Sequence, residues 1–426
     1  MPLARRLTLP DAVSIGLGSM IGAGVFAVWG PATGAAGQAL VIALVIAAVV
    51  AYGNATSSAQ LAAAHPVSGG TYAYGRAELG PWWGFIAGWC FVIGKLASCA
   101  AMALTFAAYA APAAWRTPVA LAAVAALTAV TCVGITRTAR LTQILVAVTL
   151  TGLAAVVVAA GTTLSHAAPA PLPDPTVYGV LQGAGLLFFA FAGYARIATM
   201  GEEVVDPART IPRAIGIALP VALAVYVVVG GAVLLAQGGA VVGSASPLAD
   251  VVSSAGWGPA GDAVVRVAAS AASLGALLAL LTGIGRTSLA MAREHDLPGF
   301  LARVDARHHV PVRAQLAAGA VVLGIVAVAD VRGAIGFSSF GVLLYYFVAN
   351  AAALAQGPGA RRYPRALAVI GAVGCAVLVL TLPPASALAG TGVVIVGVLI
   401  RALRLRFTPP PASPPTSPTP SGTPTG

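Results

Sequence analysis

Apolar positions in this chain neither alternate nor recur every third or fourth residue; they run on almost unbroken between short polar interruptions. A helix needs about 20 apolar residues to cross a bilayer core. Runs of that kind fall at about 11–37, 39–63, 82–112, 118–135, 141–161, 177–201, 214–237, 260–285, 313–330, 334–356, 365–382 and 386–403. The pattern predicts an all-α integral membrane protein with 12 transmembrane helices, referred to below as spans 1 to 12 in chain order. It leaves no room for a soluble catalytic domain.

Span 1, DAVSIGLGSMIGAGVFAVWGPATGAAG from Asp11, carries Gly16, Gly18, Gly22, Gly24, Gly30, Gly34 and Gly37. Glycine inside a helix costs about 1 kcal/mol relative to alanine, so this density needs a reason. One reason is packing, with Gly18 and Gly22 as a GxxxG face. The other is a break between Ser19 and Gly24 that frees backbone N–H and C=O groups for a ligand, which lipid tolerates only beside a protected cavity.

Span 6 offers a counterpart: Phe188, Phe189, Ala190, Phe191 and Ala192 lead into Gly193, well inside the membrane. Five helices separate the two, an odd number, so they run in opposite directions. That is the requirement for an inverted repeat of spans 1 to 5 (about 11–161) and 6 to 10 (about 177–356), with two extra helices at about 365–403. Paired interruptions in corresponding helices point to a transporter's central site.

Composition agrees. Of 426 residues 59% are hydrophobic and 8% charged, against roughly 25% charged in soluble domains. A net charge of +11 would suit a nucleic-acid partner in a soluble protein, but here the arginines segregate and no such partner is expected. About eighteen of them, from Arg5 and Arg6 to Arg404 and Arg406, fall on one side of the predicted membrane, against Arg116, Arg266 and Arg332 on the other, a strong positive-inside bias. Both termini are therefore expected in the cytoplasm. Abundant alanine, and arginine in place of lysine at every basic position but Lys95, hint at a GC-rich bacterial genome and hence a bacterial cytoplasmic membrane.

Residues 1–406 read as one membrane domain and 407–426 as a disordered Pro/Ser/Thr-rich tail, either a partner ligand or a solvated end. Arg5 and Arg6 precede no cleavage site, so a removable signal peptide is not expected. Cys90, Cys99, Cys132 and Cys375 lie in apolar runs without CxxC spacing, and His65, His166, His295, His308 and His309 fall in loops. No metal site, cofactor, catalytic residue or enzymatic activity is expected.

Four stretches, in order and spacing, resemble an amino acid permease of the amino acid, polyamine and organocation (APC) superfamily. They are GLGSMIGAGVF (Gly16 to Phe26), HPVSGGTYAYGRAELG (His65 to Gly80), FFAFAGYARIATMGEEVVDPARTIPRAI (Phe188 to Ile215) and GRTSLAMAREHDLPGFLARV (Gly285 to Val304). The resemblance implies a LeuT-like 5+5 inverted repeat with discontinuous helices 1 and 6. It also implies an amino acid zwitterion bound by Ser19, Met20, Ile21, Gly22, Ala23 and Gly24 at its carboxylate, and by Phe189, Ala192 and Gly193 at its ammonium, with an aromatic lid. Packing of span 6 against span 1 is the plainer alternative.

Two departures matter. Ala195 stands where many members have an acidic residue, which argues against a cationic substrate and favours a neutral one. Thr149 stands where proton-coupled members often have lysine. Attention moves to Lys95, about 20 Å into span 3, as a coupling candidate beside Thr149: a proton carrier, the occupant of a vanished cation site, or a structural lysine bonded to freed carbonyls. Arg196 is expected to snorkel to the cytoplasmic surface. Tyr72 and Tyr74 suit the interface belt. Glu202, Glu203 and Arg293 are gate candidates on two loops that can pair, with solvated loop charges as the alternative.

The expected function is secondary active transport of an amino acid by alternating access, with a proton or sodium ion as candidate coupling ion. A polyamine or other organic amine is the runner-up substrate; a channel and a membrane-embedded enzyme are the readings from other classes. Oligomeric state is not legible.

Overall fold

The computed structural model describes residues 7–67, 69–134, 139–163, 170–198, 200–201, 203–305, 307–308 and 310–407. The proline-rich tail from Thr408, for which disorder is expected, lies outside the described residues, as does Glu202. Those that are described are helical, with no strand among them beyond two isolated bridges.

In chain order the helices are α1 (Leu9–Met20), α2 (Gly24–Ala27), α3 (Trp29–Ala36), α4 (Leu40–Ala64), α5 (Thr71–Leu79), α6 (Pro81–Ala110), α7 (Arg116–Cys132) and α8 (Ala139–Thr163). They continue with α9 (Val177–Phe191), α10 (Ala195–Ala198), α11 (Pro207–Gln237), α12 (Pro247–Ser254), α13 (Gly258–Arg293), α14 (Val312–Val328), α15 (Val331–Ala355), α16 (Arg365–Thr381) and α17 (Pro384–Phe407). Ten helical stretches among the described residues are long and apolar enough to cross a membrane. Two shorter apolar helices, α14 and α16, have 17 residues each and coincide with spans 9 and 11. This is a multi-pass membrane protein.

Several boundaries differ from expectation. Helix α13 overruns the end of span 8 at 285 and carries GRTSLAMAR into the bundle, because nothing between Gly285 and Arg293 breaks a helix. The chain turns only where His295 takes a left-handed φ of 58°. Helix α11 begins at Pro207 rather than 214, since proline in the first turn needs no N–H acceptor. The short helix α12 has no counterpart among the predicted spans. Spans 1 and 2 part at Gly37, whose φ of +55° would strain any other residue and whose missing side chain makes way for the Pro173 carbonyl.

The bundle is apolar outside and partly polar within. On α4, Val41, Ile42, Val45 and Val49 are exposed and suit lipid. Its buried C-terminal half carries Asn54, Ser57 and Gln60 instead. The Asn350 amide of α15 donates to Asn54 Oδ1 at 2.6 Å and the Ser57 hydroxyl donates to Asn350 Oδ1 at 2.6 Å, while the Cys375 thiol of α16 approaches Asn54 Oδ1 at 3.3 Å. Buried polar groups in a membrane must find partners internally. Gly371 lets α16 come close enough to complete the cluster, since a Cβ there would stand 2.6 Å from the Asn350 amide oxygen.

Two contacts tie the loops to the bundle. The buried Asp296 carboxylate, beyond α13, takes the Tyr72 hydroxyl at 2.8 Å, Arg76 at 3.1 Å and Arg401 of α17 at 2.7 Å. The Arg401 guanidinium also stacks 4.8 Å from the Trp82 ring centroid and 4.6 Å from that of Phe85. Tyr72 and Tyr74 are thus buried rather than belt residues: the Tyr74 hydroxyl donates to the Ala198 carbonyl at 2.9 Å. At the other contact, Leu7 pairs in parallel with Val204 through Leu7 N to Glu203 O (3.0 Å) and Val205 N to Leu7 O (2.9 Å).

Candidate functional site

Helix α1 closes its last bond from the Ile21 amide to the Leu17 carbonyl, and helical geometry resumes only at Gly24. Among the described residues the amides of Gly22, Ala23, Gly24 and Val25 find no acceptor, as the start of a new helix requires. The break expected in span 1 is there. Span 6 departs more mildly: α9 tightens into a 3₁₀ turn at Ala192–Tyr194 and continues as α10, the kind of mid-helix change that often marks a functional hinge.

The two interruptions touch, and the helices run antiparallel. Gly16 packs on Ile197, Gly193 on the backbone of Ser19 and Met20, Gly24 on Ala190, and Gly183 on Ala32 and Ala36, so numbers rise along one helix as they fall along the other. A Cβ at Gly193 would run into the Ser19 carbonyl. One hydroxyl spans the joint: Tyr226 of α11 lies 2.7 Å from the Met20 carbonyl and 2.9 Å from that of Ala190. Of the two readings of the glycine-rich span the break holds; Gly18 and Gly22 are closely packed, but Gly18 on Thr142 and Val146 of α8 and Gly22 on Ala276 of α13, rather than as one face for one neighbour. Gly22 and Gly24 serve close packing, against Ala276 and Ala190, while the backbone between them is unwound.

Beside this joint lies a cavity of about 170 Å³. Gly18 and Ser19 line it from α1, Phe91, Lys95, Ser98 and Met102 from α6, and Phe189, Ala192, Gly193, Ala195 and Arg196 from span 6. Helix α13 supplies the facing wall, from Ala276 through Gly283 to Arg286 and Thr287, and Glu203 stands at the loop end.

Of the residues singled out from the sequence, the cavity brings together Ser19, Phe189, Ala192, Gly193, Lys95 and Glu203. Met20, Ile21, Gly22, Ala23 and Gly24 are buried behind its wall and do not line it. Thr149 is also off the wall: its hydroxyl donates to the Leu145 carbonyl one turn back on α8, at 2.7 Å. Arg293, the last residue of α13, is not on the cavity wall. Glu203 pairs instead with Arg196 at 3.4 Å and Arg286 at 3.3 Å. Arg196 thus faces the cavity rather than snorkelling away. Arg286 and the rest of the α13 wall went unrecognised in the sequence; extending the helix through its last motif would have found them, because Ala279, Gly283, Arg286 and Ala290 lie three or four residues apart on one face.

The Lys95 ammonium is buried, with the Ala192 carbonyl at 3.4 Å and the Phe91 ring centroid at 5.9 Å. Tyr346 of α15 donates to the same carbonyl, also at 3.4 Å. The Ala192 carbonyl, at the start of the span 6 turn, is thus shared by a lysine and a tyrosine.

Residues 7–417 match the family model described as amino acid permease. The chain belongs to the amino acid permease family. Relatives of this permease include uncharacterized transporters of Mycobacterium tuberculosis and Mycobacterium bovis, each 55% identical over 408 residues, 94% of this chain and 92% of theirs. A branched-chain amino acid permease of Bacillus subtilis is 26% identical over 333 residues, covering 72% of this chain and 71% of its own. A cationic amino acid transporter of Arabidopsis thaliana is 27% identical over 383 residues, 82% of this chain and 65% of its own. The family and these relatives put the permease in the APC superfamily and among transporters.

Proposed function

We propose that this permease is a secondary active transporter, not an enzyme or a channel, that carries an amino acid across the bacterial cytoplasmic membrane by alternating access. The observation that carries the reading is the contact of two interrupted antiparallel helices beside a cavity, at Ser19 and Gly193. Span 1 unwinds just beyond Ser19 and leaves the amides of Gly22 to Val25 without acceptors behind the cavity wall, where a rearrangement of the break would present them to a carboxylate. Carbonyls around the span 6 turn offer acceptors to an ammonium, and Phe189 an aromatic cover.

The reading includes 12 spans in a LeuT-like 5+5 inverted repeat, about 11–161 and 177–356, followed by two extra helices. A 17-residue helix is about 26 Å long, close to the roughly 27 Å of the thinner bilayers, so α14 and α16 fit as spans 9 and 11. With both termini cytoplasmic, as the arginine distribution favours, the cavity opens inward. The trio of Arg196, Glu203 and Arg286 at its rim then links span 6 to α13 as the inner gate.

The test is uptake of labelled amino acids into proteoliposomes of the purified protein, with and without an imposed proton or sodium gradient, and counterflow from preloaded vesicles. Saturable uptake with counterflow, driven by one of the two gradients, is expected. Non-saturable flux without counterflow would make it a channel.

A further inference from the structure

We infer that the amino acid carried by this permease is acidic, a dicarboxylic amino acid of the aspartate or glutamate class, with its side-chain carboxylate held by Lys95. The inference rests on the transporter reading and deepens it by naming the substrate class.

Charge on the cavity wall comes first. Its ionisable lining residues are Lys95, Arg196, Arg286 and Glu203, three cations to one carboxylate. That carboxylate is committed at the rim, shared by Arg196 and Arg286. Lys95 makes no ion pair among the described residues. Its hydrogen bond is the long 3.4 Å contact to the Ala192 carbonyl, which Tyr346 also uses. The neighbouring Ser98 hydroxyl is engaged with Ser338 at 2.6 Å.

An ammonium has three donors, and a buried charge is tolerated only when it is paired and hydrogen-bonded. One shared carbonyl does not meet that need, whereas a carboxylate entering the cavity does.

The amides of Gly22 to Val25 are buried behind the cavity wall, so the cations on the wall are what a substrate's carboxylates meet: Lys95 on α6 against the span 6 turn, Arg196 and Arg286 at the rim. Lys95 without an anion, and two arginines sharing one carboxylate, leave an excess of positive charge, which a molecule with two carboxylates and one ammonium offsets better than a zwitterion with one of each. A space of about 170 Å³ suits one small amino acid.

A branched aliphatic side chain would leave the Lys95 ammonium with the Ala192 carbonyl and the Phe91 ring but no anion. A cationic side chain would add like-charge repulsion at Lys95. With Arg196 and Arg286 at the cavity's mouth and one carboxylate between them, the balance moves from the neutral substrate expected from Ala195 to an anionic one. The arginine-rich rim also raises the local concentration of an anionic substrate.

The experiment compares labelled aspartate and glutamate with asparagine, leucine and arginine in proteoliposomes of the full-length protein. Aspartate should be taken up with kcat/KM about tenfold or more above asparagine, the change expected from one charge-assisted hydrogen bond. This comparison uses the unaltered protein and so does not depend on a variant folding. Lys95→Gln, checked for a monodisperse elution profile, should lower aspartate transport by about tenfold or more and erase most of its advantage over asparagine, with partial rescue by Lys95→Arg. Saturable uptake of leucine or arginine that excess aspartate and glutamate do not compete would overturn the acidic assignment and leave the transporter reading standing. Equal losses for aspartate and asparagine in Lys95→Gln would make the lysine structural and overturn it too. Absence of uptake for every amino acid would overturn the transporter reading itself, and the assignment with it.

Discussion

The Tyr226 hydroxyl lies 2.7 Å from the Met20 carbonyl, and at 2.9 Å it also reaches that of Ala190, so one side chain of α11 closes the gap between two interrupted helices. Tyr226→Phe keeps the ring and its edge-on packing against Phe191 but removes the single hydroxyl proton that the two carbonyls share. The cost should be about 1–3 kcal/mol. A lowered melting temperature in detergent, together with reduced uptake, is the expected result. An unchanged melting temperature would mean that water or a neighbouring group takes over both carbonyls.

Gly193→Ala would drive a methyl group into backbone, the carbonyl of Ser19 and the amide of Met20. Backbone cannot rotate away as a side chain can, so the two interruptions must separate. Transport should fall by more than about tenfold, because a misplacement of about 1 Å can cost two orders of magnitude in rate. Gly216→Ala, where nothing lies within 4 Å, is the control. It should keep full transport and gain up to about 1 kcal/mol of helix stability.

Asn54 and Asn350 are joined by a 2.6 Å hydrogen bond in a core that water does not reach. Single alanine substitutions should each destabilise the bundle. A double-mutant cycle should show a coupling of about 0.6–1.7 kcal/mol, the range for such bonds in membranes. Zero coupling would mean that each amide finds another partner once its mate is gone.

Arg401→Leu removes one of the two arginines on Asp296 and the cation stacked on Trp82 and Phe85. Asp296 keeps Arg76 and Tyr72, so the expected loss is about 2 kcal/mol, the size of one bond to a charged group. Uptake per folded molecule should be unchanged, since α17 does not line the cavity. Thermal melting and initial rates on the same preparation separate the two quantities.

Helix positions were legible because twenty-residue apolar runs admit one interpretation in lipid. The break after Met20 was legible only once Gly193 supplied a counterpart in span 6, because the glycines at 16, 18, 22 and 24, costly as they are, suit close packing as well. The cavity wall on α13 was not. Arg286, Thr287 and Arg293 look like the polar end of a membrane helix, and hydropathy cannot distinguish a helix that stops from one that goes on outside the apolar layer. Nor could it show which side of Arg196 carries its guanidinium. That depends on Glu203, brought alongside by the turn between α10 and α11.

Leu7 adds a mechanical consequence to the map of contacts. Its two main-chain bonds to residues 203 and 205 stitch the start of the described chain onto the segment holding the carboxylate at the cavity's mouth. A pull at the amino end, from a fused tag or a docked neighbour, therefore reaches Glu203 through two backbone hydrogen bonds instead of travelling along the first helix.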